Sequence, residues 1–236
     1  MEEKKRYHLL DIVRGVCIIL VVAYHALYNL SEVFGGHYAF FRSQGMNLFR
    51  DCFVGVLMII SGISCSLSRS NLKRGIKTTL CALLVTLVTA VAMPTELIIF
   101  GILHFFGISM LIYALVGRFF EKIPLVLGTA LSFLGYFLTC NLYYSIANLP
   151  KSFLLYALGF NTGFSSADYY PLLPWIFLFF AGGFLGRLFK EGKVPRFFEK
   201  NFLPPLAFIG RHTLIIYLAH QPLIFGGMWL WFNYVK

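Results

Sequence analysis

Long uncharged runs divide the chain, and this feature limits the folds open to it more than any other. Seven stretches of at least 17 residues carry no Asp, Glu, Lys or Arg, and they cover residues 15–31, 52–68, 78–95, 97–117, 123–150, 169–186 and 212–235. Each is close to the roughly 20 residues that a helix needs to cross the hydrocarbon core of a bilayer. Charged residues make up 13% of the 236 residues, which is about half the share found in soluble proteins. The sequence therefore predicts an all-α, multi-pass integral membrane protein and excludes ordinary soluble, fibrous and disordered chains.

The breaks between the runs set the expected spans. Pro, Gly and charged residues mark the ends of apolar helices, and they place seven transmembrane helices at residues 11–30, 49–68, 77–93, 97–117, 123–142, 171–187 and 209–233. Residues 143–170 are expected to form a long loop, and Gly62 and Gly182 are expected to allow close helix packing. No internal repeat divides the chain, so we expect one transmembrane domain over residues 1–236.

The positive charges predict the orientation in the membrane. A net charge of +10 would suggest nucleic acid as the partner of a soluble protein, but cytoplasmic loops of membrane proteins are rich in Lys and Arg. With seven alternating spans and a cytoplasmic N-terminus, the inside segments hold 14 cations and the outside segments hold 4. The inside cations are Lys4, Lys5, Arg6, Arg69, Lys73, Arg74, Lys77, Arg118, Lys122, Arg187, Lys190, Lys193, Arg196 and Lys200, and the outside ones are Arg42, Arg50, Lys151 and Lys236. This imbalance predicts a cytoplasmic N-terminus and leaves no role for nucleic acid.

The cysteines and histidines do not suggest a metal or disulfide site. The five cysteines are scattered without a close-spaced pair, whereas disulfide frameworks and zinc sites are recognised by such spacing. No two histidines stand in a His-x-x-x-His pair on one helix, so we expect no bound metal.

Two ionisable residues share the first span. Arg14 and His25 are 11 residues apart, almost three full helical turns, so both project from one face about 16 Å apart along the axis. Asp11 precedes Arg14 by three residues and is placed to orient its guanidinium as an i,i+3 ion pair. Ionisable groups inside a bilayer are costly, and this makes them candidates for function.

Histidines of three spans are expected at similar depth. Counted along their helices, His104 lies about 21 Å and His220 about 14 Å from the cytoplasmic face, which places both in one central layer with His25. Imidazole exchanges a proton near neutral pH without keeping a charge in a low-dielectric interior. The layer predicts general-base chemistry or a proton relay, and ordinary packing of each histidine is the alternative.

A second polar group lies at the predicted cytoplasmic ends of the spans. Its members are Arg14, Arg69, Arg187, Arg211 and His212. Arginine forks bind phosphate through paired hydrogen bonds, so we expect a phosphate-bearing ligand here, with Asp11 orienting Arg14. For Arg69 and Arg187 a plain positive-inside collar is the alternative, whereas Arg14 and Arg211 begin the two spans that carry His25 and His220.

One carboxylate stands out on the outside. Asp168 is the only acid of the loop 143–170 and precedes a run of aromatic residues. With Tyr169, Tyr170 and Trp175 it is placed to line a substrate mouth and to orient an imidazole or the substrate. A solvated loop acid beside an aromatic belt is the alternative.

Four motifs resemble a known family, whereas Walker A, His-Glu-x-x-His and Gly-x-Ser-x-Gly motifs are missing. The motifs are Leu10-Asp11-Ile12-Val13-Arg14-Gly15 with His25 on the same helix, Gly101-Ile102-Leu103-His104-Phe105-Phe106-Gly107, Asp168-Tyr169-Tyr170-Pro171-Leu172-Leu173-Pro174-Trp175, and Gly210-Arg211-His212-Thr213-Leu214-Ile215-Ile216-Tyr217-Leu218-Ala219-His220-Gln221-Pro222. In this order they resemble small bacterial transmembrane acyltransferases related to the catalytic domain of heparan-alpha-glucosaminide N-acetyltransferase. The resemblance runs from about residue 6 to residue 225.

This resemblance implies transfer of an acetyl group from cytoplasmic acetyl-CoA to a sugar or a small amine or hydroxyl acceptor on the far side of the membrane. The cytoplasmic arginines would hold the nucleotide phosphates, and the pantetheine arm would extend towards the histidines. His104 and His220 would stabilise the developing oxyanion or orient the donor, and Asp168 would position the acceptor. In the lysosomal enzyme an Asn replaces His25 and the catalytic His corresponds most nearly to His37, so His25 and His37 are alternative bases.

The sequence therefore predicts an acetyl-CoA-dependent acetyltransferase in the lipid bilayer of a bacterial plasma membrane, working without a metal. A homo-oligomer is compatible with it. Two other classes stay open: a small proton-coupled transporter with a histidine relay, although the repeated halves common in transporters are missing, and an accessory subunit of a larger membrane complex.

Overall fold

The structure is a computed structural model that describes residues 6–141 and 149–234. Within these ranges every regular element is helical, which confirms the predicted all-α class. The α-helices are α1 His8–Tyr28, α2 Gln44–Ser66, α3 Asn71–Ala92, α4 Ile102–Phe120, α5 Leu125–Thr139, α6 Phe153–Leu158, α7 Trp175–Lys190, α8 Pro204–Arg211 and α9 Thr213–Tyr234. A π-helical turn, Asn29–Val33, extends α1, and 3-10 turns cover Ala39–Arg42, Pro94–Glu96 and Arg196–Glu199.

The chain folds into two compact units. The first unit comprises Met1–Leu57 and Val194–Lys236, and in it α1 packs against both α8 and α9. The second unit comprises Met58–Lys193, where α3 packs on α4 and α5 packs on α7. His25 and His220 therefore belong to the first unit, and His104 belongs to the second.

Five of the described helices are long and apolar enough to cross a bilayer. They are α2, α3, α4, α9 and the segment His8–Val33, which joins α1 to its π-helical turn. Helices α5 and α7 have 15 and 16 residues, fewer than the roughly 20 that a span needs. The chain is a multi-pass membrane protein, whereas the count of seven spans and the cytoplasmic N-terminus stay predictions.

Helix α3 shows the apolar surface that lipid tails solvate. Leu80 and Leu87 are 61% and 62% exposed, and Leu83 and Leu84 are each 53% exposed. Soluble proteins rarely leave so continuous an apolar face in water, whereas in a bilayer lipid tails are as apolar as leucine. This face therefore fits the membrane rather than the core of the unit.

The fourth span begins later than the sequence predicts. Residues 97–101 of this predicted span are not helical, and α4 begins after them. The N–H of Ala167 donates to the carbonyl of Leu97 at 3.1 Å. The N–H of Tyr170 donates to the carbonyl of Phe100 at 3.2 Å. Non-helical backbone is tolerated at membrane depth where protein groups satisfy it, so these bonds allow the break.

The last span is also interrupted. Residues 209–233 do not form one helix, because His212 stands between α8 and α9 in a non-helical conformation with φ −108° and ψ 18°. In an unbroken helix its N–H would donate to the carbonyl of Phe208. Instead the His212 ring Nδ1 bonds to that carbonyl at 2.9 Å. The N–H moves to the next carbonyl, that of Ile209, at 3.0 Å, and the side chain thereby ends α8.

Glycines bring the second half of α2 against α7 in the second unit. A Cβ atom at Gly62 would overlap the carbonyl oxygen of Phe179, and a Cβ atom at Gly182 would overlap the carbonyl oxygen of Ile59. Small residues let helix backbones approach closely in membranes. The predicted packing role of both glycines is confirmed.

The predicted loop 143–170 contains the short helix α6. The residues 142–148, which fall at the end of the expected fifth span and the beginning of this loop, lie outside the described ranges. Helix α6 ends at Gly159, whose φ of 117° is a conformation that favours glycine.

Candidate active site

A close contact between α1 and α8 organises one end of the first unit. A Cβ atom at Gly210 would overlap the carbonyl oxygen of Asp11, and a Cβ atom at Gly15 would overlap a carbonyl oxygen of α8. Each glycine is the sequence neighbour of an arginine. The helix crossing therefore brings the backbones of α1 and α8 close together beside Arg14 and Arg211.

Asp11 binds two arginines beside this crossing. Its Oδ1 accepts a hydrogen bond from Arg14 at 3.1 Å, which forms the predicted i,i+3 pair. Its Oδ2 accepts from Arg6 at 3.0 Å. The Asp11 side chain is 9% exposed, whereas the side chains of Arg14 and Arg6 are 21% and 53% exposed. Two guanidinium groups against one carboxylate make this group net positive, and a guanidinium carries five N–H donors in all.

Arg211 and His212 extend the cationic end of the first unit. The guanidinium carbon of Arg211 lies 5.7 Å from the ring centroid of Phe208, which is a cation–π geometry. The ring of His212 also packs on Phe208, with centroids 4.4 Å apart. Four of the six residues predicted to form the donor-binding group thus lie in the first unit: Asp11, Arg14, Arg211 and His212.

Two predicted catalytic histidines meet in the first unit. The ring centroids of His25 on α1 and His220 on α9 are 4.9 Å apart, and their planes form an angle of 59°. The Nδ1 of His220 bonds to the carbonyl oxygen of Tyr217, about one turn earlier on α9. Because a carbonyl only accepts, Nδ1 of the neutral ring carries the proton and Nε2 carries the lone pair. The helix pair thus joins two groups that can exchange a proton.

An amide pair lies beside these histidines. Asn29 follows His25 by four residues, and Gln221 adjoins His220. Gln221 Nε2 donates to Asn29 Oδ1 at 2.9 Å, and Asn29 Nδ2 donates to Gln221 Oε1 at 3.4 Å. Asn29 is fully buried. Sequence reasoning missed this pair because amides carry no charge, although a polar side chain one turn from His25 in an apolar helix was the available signal.

His37 lies in a loop that folds back on the end of α1. Its N–H donates to the carbonyl of Ser31 at 2.9 Å, its φ is 46°, and its side chain is exposed. An ion pair between Arg42 and Glu32 closes the same loop, and the hydrogen bond to this carboxylate raises the pKa of Arg42 above its ordinary value. The two alternative bases therefore differ in setting, since His25 packs on His220 and His37 faces outward.

His104 and Asp168 meet at the start of α4 in the second unit. His104 Nδ1 accepts from the N–H of Gly101 at 3.1 Å. Asp168 Oδ2 accepts from the N–H of Ile102 at 3.0 Å. A helix N-terminus leaves such amides without intrahelical partners, and its positive end favours a carboxylate. Both side chains are buried. Asp168 is therefore not the solvated loop acid that the sequence left open as an alternative.

The bonds of His104 also set its tautomer. Because Nδ1 accepts, the proton of the neutral ring is on Nε2, which donates to the hydroxyl of Thr86 at 3.1 Å. That hydroxyl donates in turn to the carbonyl of Ile98 at 2.7 Å. Both ring nitrogens of His104 are thus engaged in hydrogen bonds inside the unit.

The aromatic residues after Asp168 pack inside the second unit. Tyr169 stacks on Tyr156 with ring centroids 4.3 Å apart and donates its hydroxyl to the carbonyl of Tyr156 at 2.7 Å. Tyr170 and Trp175 are buried, with ring centroids 5.7 Å apart. These rings stabilise the segment that carries Asp168.

Arg69 and Arg187 line a pocket of about 370 Å³ in the second unit, together with Arg118 and Lys190. Arg187 Nη1 donates to two backbone carbonyl oxygens at and beyond the end of α4, at 3.0 and 2.7 Å. Arg187 therefore stabilises a helix end as well as facing the pocket. The six residues predicted to form the donor-binding group, Asp11 included, are divided between the units, four in the first and two in the second.

Comparison with known proteins supplies the family. The family model described as "Heparan-alpha-glucosaminide N-acetyltransferase, catalytic" matches residues 6–222, a range that includes every candidate residue above. A search of curated proteins and a search of solved structures gave no match. The family match does not favour the transporter alternative. The chain belongs to the heparan-alpha-glucosaminide N-acetyltransferase catalytic family and is a multi-pass membrane acetyltransferase.

Proposed function

We propose that the protein transfers an acetyl group from acetyl-CoA to a hydroxyl or amine of a glycan or small acceptor across the membrane. The observation that carries the proposal is the order of groups along α1. Arg14 lies at one end, and His25, packed on His220, lies about 16 Å further along the axis. In the predicted topology the arginine end faces the cytoplasm, where acetyl-CoA is found, and the histidine end lies deeper in the membrane.

The donor phosphates are assigned to the cationic end of the first unit. Arg14 and Arg211 supply N–H donors there, and guanidinium forks match phosphate oxygens in pairs. Asp11 acts as a positioning residue, because its carboxylate holds Arg14 at 3.1 Å. The pantetheine arm of acetyl-CoA would then run along α1 towards the histidines.

His25 is proposed as the base. It would remove the proton of the acceptor hydroxyl or amine as the acceptor oxygen or nitrogen bonds to the thioester carbonyl carbon. The carbon–sulfur bond then breaks, the proton passes from the imidazole to the departing sulfur, and CoA leaves as the thiol. Two imidazoles 4.9 Å apart disfavour two positive charges, so His25 and His220 would carry at most one positive charge between them.

His104 and Asp168 are proposed to act through the backbone rather than on the reacting atoms. Both His104 nitrogens are engaged within the second unit, and the Asp168 carboxylate binds a helix amide. They would hold the start of α4 in place, and neither would exchange the proton of the reaction.

The base assignment is tested by His25→Ala against His37→Ala in purified protein, with acetyl-CoA as donor and glucosamine as the probe acceptor. We expect His25→Ala to lower the transfer rate by about 10²–10⁴-fold, the range of general-base catalysis, and His37→Ala to stay near wild type. If His37→Ala loses transfer while His25→Ala keeps it, the base is the loop histidine.

Donor binding is tested by equilibrium titration of acetyl-CoA. Arg14→Ala should weaken binding by about 10- to 100-fold, as expected for loss of a hydrogen bond to a charged group, whereas Arg42→Ala in the outer loop should not. If the wild-type protein does not bind acetyl-CoA, the proposed function is refuted.

A further inference from the structure

We propose that the Arg69 pocket, lined by Arg69, Arg118, Arg187 and Lys190 in the second unit, binds the phosphate headgroup of an anionic phospholipid. This site goes beyond acetyl transfer and does not depend on it. The pocket is open and has a volume of about 370 Å³, enough for a headgroup rather than a single ion.

Charge is the first argument for an anion. Four cationic side chains line the pocket against one acid, Glu121. In the described part of the chain, Lys190 is the pocket cation that forms an ion pair, with Glu121 at 2.7 Å. Arg69 and Arg118 are exposed, so their forks can turn towards phosphate oxygens.

The beginning of α3 adds backbone amides and polar side chains to the pocket. Ser70, Asn71 and Leu72 line the pocket, and the amides of a helix N-terminus favour phosphate. Asn71 Nδ2 donates to the carbonyl of Cys65 at 2.8 Å. Its Oδ1 is buried and has no hydrogen-bond partner among the described residues.

Apolar surface beside the pocket identifies the source as lipid. Leu72 lines the pocket and is 54% exposed, and Ile76, one turn further along α3, is 47% exposed. On α4, which packs against α3, Leu115 and Phe119 are 73% and 55% exposed. Both helices are long and apolar enough to span a bilayer. A headgroup in the pocket would therefore place its acyl chains along side chains that already face lipid.

Native mass spectrometry of the delipidated protein with phosphatidylglycerol or phosphatidylcholine tests this site. The wild-type protein should bind one phosphatidylglycerol in clear preference to phosphatidylcholine. Arg69→Gln and Arg118→Gln should each weaken phosphatidylglycerol binding by about fivefold, and the double variant by about 25-fold, because each cation near a lipid phosphate contributes similarly. Arg196→Gln, which removes an exposed arginine of the first unit, is the matched control and should bind as wild type.

Competition with soluble phosphates shows whether the pocket binds the phosphate of a lipid headgroup or a phosphate compound in solution. Inorganic phosphate and coenzyme A should fail to displace phosphatidylglycerol, and displacement by either would assign the pocket to a soluble phosphate ester and overturn the lipid site. Equal binding of both lipids, or equal loss in Arg196→Gln, would also overturn it. Arg69→Lys keeps the charge and should recover most of the affinity, which separates loss of the site from loss of folding.

Discussion

Replacing Asp168 with alanine tests how the start of α4 is held. The Asp168 carboxylate is buried and accepts the N–H of Ile102 at 3.0 Å. Its removal leaves a buried amide without this partner, which costs about 1–3 kcal/mol. The lost carboxylate at a helix N-terminus adds about 0.3–1 kcal/mol. We expect Asp168→Ala to lower the free energy of unfolding by about 2–3 kcal/mol.

Asp168→Asn separates the hydrogen bond from the charge. The asparagine amide keeps an oxygen that can accept the same N–H, so the free energy of unfolding should fall by about 1 kcal/mol through loss of the charge alone. Glu191→Ala is the control, because Glu191 is partly exposed and forms a surface ion pair with Lys193 at 2.8 Å. Such a surface pair contributes little to stability, so Glu191→Ala should unfold close to wild type.

Thermal unfolding of the detergent-solubilised protein measures these differences. A change of 1 kcal/mol moves Tm by about 2–4 °C in a chain of this size, so Asp168→Ala should unfold about 5–10 °C below wild type. A wild-type Tm for Asp168→Ala would refute the capping role. If instead Asp168→Asn unfolds normally but no longer transfers acetyl groups, the carboxylate acts on the acceptor, as the sequence suggested.

Three further changes probe packing, polar contacts and charge. Gly210→Ala should lower the free energy of unfolding by about 1–3 kcal/mol, seen as a lower Tm, because the added methyl group would overlap a backbone carbonyl of α1. A double-mutant cycle on Asn29→Ala and Gln221→Ala should give a coupling energy of about 1 kcal/mol, within the range found for polar contacts between membrane helices. The hydrogen bond from Lys190 lowers the pKa of Glu121 below its ordinary value of 4.5. The contribution of this pair to stability is therefore present above that pH and lost as the pH falls below it, which Lys190→Gln should show as a flatter dependence of Tm on pH.

Each of these changes has a matched comparison. Gly227→Ala is the control for Gly210→Ala, because a Cβ atom at Gly227 meets no heavy atom within 4 Å. Equal Tm values for both alanine variants would contradict the close crossing of α1 and α8. Additive effects of the two amide changes would show that Asn29 and Gln221 do not interact. An unchanged dependence of Tm on pH in Lys190→Gln would show that the pair with Glu121 does not contribute to stability.

The helices could be predicted from the sequence where the length of an apolar run alone decides them. The prediction failed where other groups of the chain form hydrogen bonds with the backbone. The first three spans follow the predicted runs within several residues, because an apolar run satisfies its own backbone only as a helix in lipid. The start of the fourth span was missed, since residues 97–101 bond to the segment around Asp168. The break at His212 was missed for a related reason, because its ring takes the carbonyl that its own N–H would occupy.

The candidate residues were predictable by type rather than by contact. Charge scarcity singled out Arg14, His25 and His220, and the i,i+3 pairing of Asp11 with Arg14 follows from helix geometry alone. The uncharged partners Asn29 and Gln221 gave a weaker signal and were found only in the structure.

By itself the sequence determined that this chain crosses a membrane and which side chains are costly there, because run length and charge are local properties. Only the tertiary structure decided which of them meet. Asn29 and Gln221 are separated by 192 positions and come together because α1 packs on α9. The close crossing of α1 and α8 likewise depends on a glycine in each helix. The +10 net charge is divided in the same way, with one group of cations at the Arg14 end of the first unit and another around the pocket of the second.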